Sequence, residues 1–342
     1  MNTTRDRLGR PLGKIRFSVT DGCNLRCSYC LPKESAGAFL KSPSLLSFDE
    51  IVRIARAATA LGVQSAKITG GEPLLRPELH TLIARLKQEA GLEEIALTTN
   101  GTRLVQLLPS LISAGLARVT VSLDSLKEER FAAISGRTDK LTSVLAGIDA
   151  ALAEYRAGRL ASVKVNMVVV RGSNDDEVVA MAERWRHTGV VVRYIEFMDV
   201  GTVNHWSASN VVRGCDIRDR IGRQWPLEAL PPAVHGETAR RWRYRDGGGE
   251  IGFIDSISQP FCASCTRLRV GSDGKLFGCL FASEGFDLRA ILRRDGGVSD
   301  ADLTELVAGF WRRREDRYSE KREPLVGLSR SKDRIQMSYI GG

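Results

Sequence analysis

Short β-branched runs and apolar positions at helical spacing alternate six times in the first 200 residues, and nothing else in the chain constrains the fold as strongly. The pattern predicts strands over 16–20, 66–69, 95–99, 118–123, 163–170 and 190–197. It predicts helices over 51–61, 79–86, 104–114, 128–134, 141–155 and 175–187. Strands separated by helices build a parallel sheet covered by helices. An open doubly wound sheet and a barrel both satisfy the pattern, but a complete eight-unit barrel needs more chain than precedes residue 200. The alternation stops near residue 201. Residues 201–237 read as mixed, while 240–245 and 251–254 read as two strands joined by the Asp246-Gly247-Gly248-Gly249 turn. The expected division is residues 1–200 and residues 201–342, with different architectures.

Strands buried on both faces normally read as unbroken apolar runs. Four strands here carry a lone cation instead: Arg16, Lys67, Lys164 and Arg193. Burying an unpaired charge costs several kcal/mol. An internal ion pair or a strand-end position accounts for any one of them, and the four together favour a polar lumen facing an anion. The net charge of +9 agrees with a polyanionic ligand, either nucleic acid or a phosphorylated small molecule.

Residues 1–14 are polar and basic without an apolar core, unlike a secretory signal. No run of about twenty apolar residues is present, so no membrane span is expected. Seven cysteines, an odd number without a signal, argue against a disulfide scaffold and point to the cytoplasm. Six of them form two groups of three, and Cys215 reads as a structural thiol.

The first group lies in Cys23-Asn24-Leu25-Arg26-Cys27-Ser28-Tyr29-Cys30, spaced C-x-x-x-C-x-x-C at the end of the first strand. Thiolates are soft ligands suited to iron–sulfur clusters, zinc and Cu(I). A four-iron cluster normally takes four cysteines, so three leave one iron open to chemistry. Zinc sites usually pair C-x-x-C blocks with a fourth ligand, and a zinc knuckle or inert thiols remain the alternatives. Gly70-Gly71-Glu72-Pro73 follows the second strand, where glycines let backbone approach a ligand. Thr98-Thr99-Asn100-Gly101 and Ser122-Leu123-Asp124 end later strands, and as isolated segments they read as helix caps.

The second group, Cys262, Cys265 and Cys279, again lacks a fourth ligand. Residues 268–270 and 275–277 read as a hairpin about Ser272-Asp273-Gly274, which is expected to return Cys279 beside Cys265. Arg267 and Arg269 share one strand face next to this group. Two guanidinium forks there suit a phosphate chain.

The first cysteine loop resembles the signature of the radical S-adenosylmethionine (SAM) superfamily, in which SAM chelates the open iron. Together with Gly70-Gly71-Glu72-Pro73, the run from Phe261 to Arg269, and Tyr339-Ile340-Gly341-Gly342, the chain resembles the MoaA family of radical SAM GTP 3′,8-cyclases of molybdenum cofactor biosynthesis. The resemblance implies an incomplete (β/α)6 TIM-type barrel with a C-terminal α+β extension carrying a second cluster; periodicity alone does not show the closure. It implies two [4Fe-4S] clusters, one on Cys23, Cys27 and Cys30 with SAM, the other on Cys262, Cys265 and Cys279 with its open iron toward the guanine base. Tyr29, Gly71, Ser122 and Met198 are implied as SAM contacts. Arg16, Lys67, Thr98, Lys164, Arg267 and Arg269 are implied as GTP contacts, with Arg16, Arg267 and Arg269 also catalytic. The family often has Arg at position 67, and lysine cannot fork.

The implied reaction starts with reductive cleavage of SAM to a 5′-deoxyadenosyl radical. That radical removes the 3′ hydrogen of GTP, and the sugar radical then closes onto C8. An electron donor of flavodoxin or ferredoxin type, cyclic pyranopterin monophosphate synthase as the next enzyme, and a homodimer complete the implied partners, with neither nucleic acid nor membrane. Two alternatives stay open on the residues: a peptide-modifying radical SAM maturase with auxiliary clusters, and a zinc-stabilised RNA-binding protein. The second would need aromatics interleaved with basic residues, and aromatic content is only 6%.

Overall fold

The computed structural model describes residues 4–31, 39–322 and 334–341, with Ser42 described by its backbone alone. Six strands alternate with helices as the pattern predicts: β1 (Lys14–Ser18), α1 (Phe48–Ala60), β2 (Ser65–Thr69), α2 (Leu79–Gln88), β3 (Glu94–Thr99), α3 (Leu104–Ser113), β4 (Arg118–Ser122), α4 (Glu128–Ser135), α5 (Leu141–Arg156), β5 (Ser162–Val169), α6 (Val178–Trp185) and β6 (Val191–Glu196). There follow α7 (Gly214–Gln224), β7 (Leu227–Leu230), β8 (Arg240–Tyr244), β9 (Glu250–Ile254), β10 (Arg267–Val270), β11 (Lys275–Phe277), β12 (Phe286–Asp287), α8 (Leu288–Leu292), α9 (Asp300–Arg312) and α10 (Met337–Ile340).

β1 to β6 pair in parallel in chain order. The C-terminal region then widens this array at both edges, β10 adding in parallel to β1 and β9 in parallel to β6. The full order is β12-β11-β10-β1-β2-β3-β4-β5-β6-β9-β8-β7, an open sheet and so an incomplete barrel. Local pattern exposes only the antiparallel neighbours of β9 and β10, because their parallel partners lie far away in sequence. Residues 201–237, mixed on sequence, contain α7 and the edge strand β7.

Alternation along each strand separates core from lumen. In β5, Val163, Val165, Met167 and Val169 are fully buried, whereas Ser162, Lys164, Asn166 and Val168 are half-buried on the other face. In β1, Ile15 and Phe17 enter the core and Lys14 and Arg16 do not. The lone strand cations therefore stand on the lumen face, while each large apolar side chain on the outer face contributes about 1.5–3 kcal/mol by leaving water. Ser47 starts α1 with a capping box: its hydroxyl accepts from the Glu50 amide at 3.1 Å and its own amide donates to Glu50 at 2.7 Å.

Two features aim the C-terminal half. Glu196 ends β6, buried, and its carboxylate accepts from the amides of Gly214 (2.9 Å), Ile257 (2.7 Å) and Ser258 (2.8 Å). That single group holds both the start of α7 and the approach to the second cysteine group. The hairpin forms as expected, with its turn centred one residue later. Arg269 pairs with Phe277 and Val270 with Leu276, so the turn centres on Asp273. Cys279 still returns close enough to Cys265 for the two thiols to interact, and both line one cavity.

Candidate active site

The lumen contains a cavity with about 930 Å³ of space, the solvent at its mouth included. Arg16, Lys67, Arg193, Arg267 and Arg269 line it, together with Cys262, Cys265 and Cys279. Burial lowers the pKa of Arg16, and Arg269, Arg267 and Arg193 lower it further by repulsion. Lys67 is pushed down by burial and then by Arg16, Arg193 and Lys164. Guanidinium does not deprotonate in proteins, so the crowding amounts to a strong positive potential. Buried polar atoms normally have partners, yet the Thr98 hydroxyl, the Ser256 hydroxyl and Arg267 Nε, all on residues lining the cavity, lack one among the described residues. A polyanion with several acceptors fits this lining.

Two buried arginines build the second cysteine group. Arg10 Nη1 donates to the carbonyls of Cys262 (2.9 Å) and Asp316 (2.7 Å), and Arg10 Nε pairs with Asp6 at 2.6 Å. Arg314 donates to the carbonyls of Gly278 and Cys265, each at 2.9 Å, and to Cys265 Sγ at 3.2 Å. Arg267 Nη2 reaches the same sulfur at 3.2 Å. Burial alone would raise the Cys265 pKa, but Arg267 and Arg314 outweigh it and bring the thiol down to about 6.

The first group is set differently. Its loop leaves β1, and the Gly70-Gly71 turn packs directly against it. A Cβ on Gly71 would stand 2.3 Å from the Gly22 carbonyl oxygen, so only glycine fits. The Leu25 amide points at Cys23 Sγ (3.4 Å), and Asn100 Nδ2 donates to Asn24 Oδ1 at 2.8 Å. Glu72 is fully buried and accepts from the Leu74 amide (2.9 Å), the Thr99 hydroxyl (2.7 Å) and the Asn100 amide (2.6 Å), which ties β2, β3 and the cysteine loop together. Burial still raises its carboxyl to about 7. Tyr29 donates to Asp124 Oδ2 at 2.6 Å, and burial holds Asp124 at about 6. Burial also raises all three thiols; Cys30 reaches about 12, with Cys23 and Asp124 adding repulsion.

Both donor sets consist of thiolates alone, three per site, which fits an iron–sulfur cluster with an open corner. No three Cys, His, Asp or Glu side chains among the described residues gather as they would around a single ion. A cluster takes its cysteines at separate irons and does not draw them to one point.

Comparison with known proteins agrees. Residues 17–184 match the model of the Radical SAM superfamily, and residues 190–320 match that of Molybdenum Cofactor Synthesis C. The GTP 3′,8-cyclases of Staphylococcus haemolyticus (strain JCSC1435) and Staphylococcus aureus (strain JH9) are each 44% identical over 342 residues, covering 99% of this chain and 98% of theirs. The chain belongs to the GTP 3′,8-cyclase family. The fold of Streptococcus suis SuiB is similar, with a TM-score of 0.56 at 14% identity over 91% of this cyclase and 66% of that chain.

Within the cyclase, the structure gathers most residues singled out on sequence, in two sets. Arg16, Lys67, Thr98, Met198, Arg267, Arg269 and the second cysteine group line the cavity. Tyr29 and Gly71 border the first cysteine group, and Ser122 ends β4 beside Asn166. Lys164 is not in the lining; it sits on the same lumen face among Arg193, Arg118, Glu237 and Glu250, with its pKa lowered to about 8 mainly by burial. Sequence reading assigned no site role to Arg193, although the lone-cation signal marked it. Asn166 lines the cavity as well. Arg10, Arg314 and Asp124 carried no such signal, since their partners lie far off in the chain.

The C-terminal segment enters the cyclase site. The Ser338 amide faces the Cys30 thiol, and the Gly341 carbonyl accepts from Arg269 Nη1. Tyr339 packs edge-on to Phe277 at 6.3 Å. Gly342 lies outside the described residues.

Proposed function

We propose that GTP lies in the cation-lined cavity with its triphosphate on Arg16, Arg267 and Arg269 and its base toward Cys262, Cys265 and Cys279. The chain is a radical SAM GTP 3′,8-cyclase, converting GTP to (8S)-3′,8-cyclo-7,8-dihydroguanosine 5′-triphosphate in the first step of molybdenum cofactor biosynthesis. Its cofactors are SAM and two [4Fe-4S] clusters. The observation that carries the substrate placement is the convergence of six cations, Arg314 among them, and three thiols on one cavity.

Cys23, Cys27 and Cys30 would hold the first cluster, with Tyr29, Gly71, Ser122 and Met198 around SAM. Cys262, Cys265 and Cys279 would hold the second. When bound, SAM and the first cluster supply one-electron chemistry that creates a hydrogen-abstracting radical. The chain's own residues do the rest. Arg16, Arg267 and Arg269 grip the phosphates bidentately and fix the ribose relative to SAM. Lys67 and Arg193 add charge, the Thr98 hydroxyl donates a hydrogen bond, and Lys164 strengthens the field from behind the lining. Ile195, Ile254 and Phe281 exclude water from the reacting atoms. Residues 1–200 thus serve SAM and share the phosphates with residues 201–342, which also serve the base and second cluster.

The same reading assigns an electron donor of flavodoxin or ferredoxin type, delivery of product to cyclic pyranopterin monophosphate synthase, a homodimer, and the cytoplasm. No helix among the described residues is long and apolar enough to cross a membrane, in keeping with that location. An anaerobic assay with SAM, a reductant and GTP tests the whole: 5′-deoxyadenosine and cyclised nucleotide should form together. 5′-Deoxyadenosine without any GTP product would overturn the substrate.

A further inference from the structure

Past β6 the chain reaches Met198, which lines the cavity, and then Asp199, 2% exposed. Three donors from the C-terminal part of the chain converge on this one carboxylate. Arg322 Nη2 lies 2.8 Å from Oδ1, Arg334 Nη1 lies 3.0 Å from Oδ2, and the Tyr318 hydroxyl donates to Oδ2. Arg334 Nη1 also reaches the Asp199 carbonyl at 2.7 Å, and its Nη2 reaches the Tyr318 oxygen at 2.6 Å. Both guanidiniums lie over the Tyr318 ring, at 5.3 and 4.8 Å, and that ring stacks at 4.5 Å on Phe281, a cavity residue.

A second tie lies two residues beyond Arg334 and three beyond Asp199. Gln336 Nε2 donates to Thr202 Oγ1 at 2.8 Å. Gly201, at φ +70°, leaves room for it: a Cβ there would stand 2.4 Å from Gln336 Oε1. Immediately after these anchors comes α10, only four residues long. A helix of one turn cannot hold itself together in water, so tertiary contacts must give it its place. That place puts the Ser338 amide on Cys30 and the Gly341 carbonyl on Arg269, joining the two halves of the site.

We propose that Asp199 is a positioning residue for the cyclisation: it latches Arg334 and so seats α10 between the first cysteine group and the phosphate-binding arginines. Removing its charge leaves two buried guanidiniums facing each other with no anion between them, and the segment that carries α10 lets go. The inference takes from the proposed function only that the space between Cys30 and Arg269 is where the reaction occurs.

The test compares full-length, cluster-loaded wild type with Asp199→Asn and Asp199→Glu. Amide hydrogen exchange is read over 334–341, alongside kcat and the KM for GTP. Asp199→Asn should raise exchange there at least ~10-fold, leave β1–β6 unchanged, lower kcat ~10–100-fold and change KM less than ~3-fold, and Asp199→Glu should restore most of both. Arg334→Gln, which spares the neighbour of Met198, should give the same pair of changes, and it carries the test if Asp199→Asn does not fold. Unchanged exchange with lost turnover, or raised exchange with full turnover, overturns the latch. Exchange needs no substrate, so a wild type that fails to turn over GTP refutes the cyclase reading and leaves the latch to be judged on exchange alone.

Discussion

The thiols of Cys23, Cys27 and Cys30 are pushed up by burial, with neighbouring thiols adding to it at Cys27 and Cys30, whereas Cys265 is brought down to about 6 between Arg267 and Arg314. Both groups are sets of three cysteines, yet they solve the same problem in opposite ways. At the first, the folded chain favours neutral thiols, so a metal must displace protons against the local field. At the second, the field favours a thiolate at Cys265, while burial raises the Cys279 thiol. The cations responsible are not dedicated to it, because Arg267 and Arg314 also line the cavity. Cysteine group and cavity therefore share charge in the C-terminal half, whereas the first cysteine group stands apart from the cavity lining.

Breaking the second group outright has the largest effect. Cys279→Ala should halve bound iron from about eight per chain, two four-iron clusters, and abolish GTP cyclisation while SAM cleavage continues. Iron analysis and product chromatography check it, and cyclisation by that variant would remove the distinction between the sites. Next, Arg267→Ala with Arg269→Ala should weaken GTP binding at least ~100-fold, since charge-assisted bonds contribute roughly 1.5–3 kcal/mol each. Calorimetry with and without the second cluster would show whether the shared arginines couple the two.

Arg314→Gln sharpens the contrast by removing a buried cation that donates both to the Cys265 carbonyl and to its sulfur. It should destabilise the metal-free fold by about 3–5 kcal/mol, the usual cost of breaking a buried pair, read as a shift in denaturant midpoint. It should also raise the Cys265 pKa. The opposite shifts predict opposite pH behaviour in metal-free protein. The Cys265 contribution to stability is complete above the ordinary thiol value near 9 and is lost as pH falls through about 6. The Cys30 contribution is complete below that ordinary value and is lost as pH rises toward 12. Thiolate ultraviolet absorption should fall by one thiolate's worth between pH 8 and pH 5, and the fall should vanish in Cys265→Ser. The smallest effect is expected of Lys67→Arg, less than ~3-fold on GTP affinity, because either cation serves a phosphate and only the fork is gained.

Much of this was legible in the chain. The strand–helix alternation announced the parallel array to within about two residues per strand, as with β1. Lone cations at positions 16, 67 and 193 pointed to a charged lumen because the apolar residues on either side of them left no other face. The widening of the sheet was not legible: β9 and β10 show their antiparallel neighbours locally and find β6 and β1 only across the fold. Nor was the hairpin register, whose turn centres on Asp273 and not on Ser272. Arg10, Arg314 and Asp199 gave no sign in their own neighbourhoods, and Asp124 showed only its place at a strand end, since each acts on groups distant in the chain.

By itself, then, the order of residues determined what chemistry is available: two sets of soft ligands, a glycine turn that admits backbone contact, and cations placed at strand period. Those properties depend on residue type and near spacing, which a linear chain carries in full. Only the tertiary structure decided which charge meets which thiol, how far Lys164 stands from the lining, and where the C-terminal helix is seated. Electrostatic energy depends on distance and burial, and neither quantity exists until the sheet has brought remote segments together.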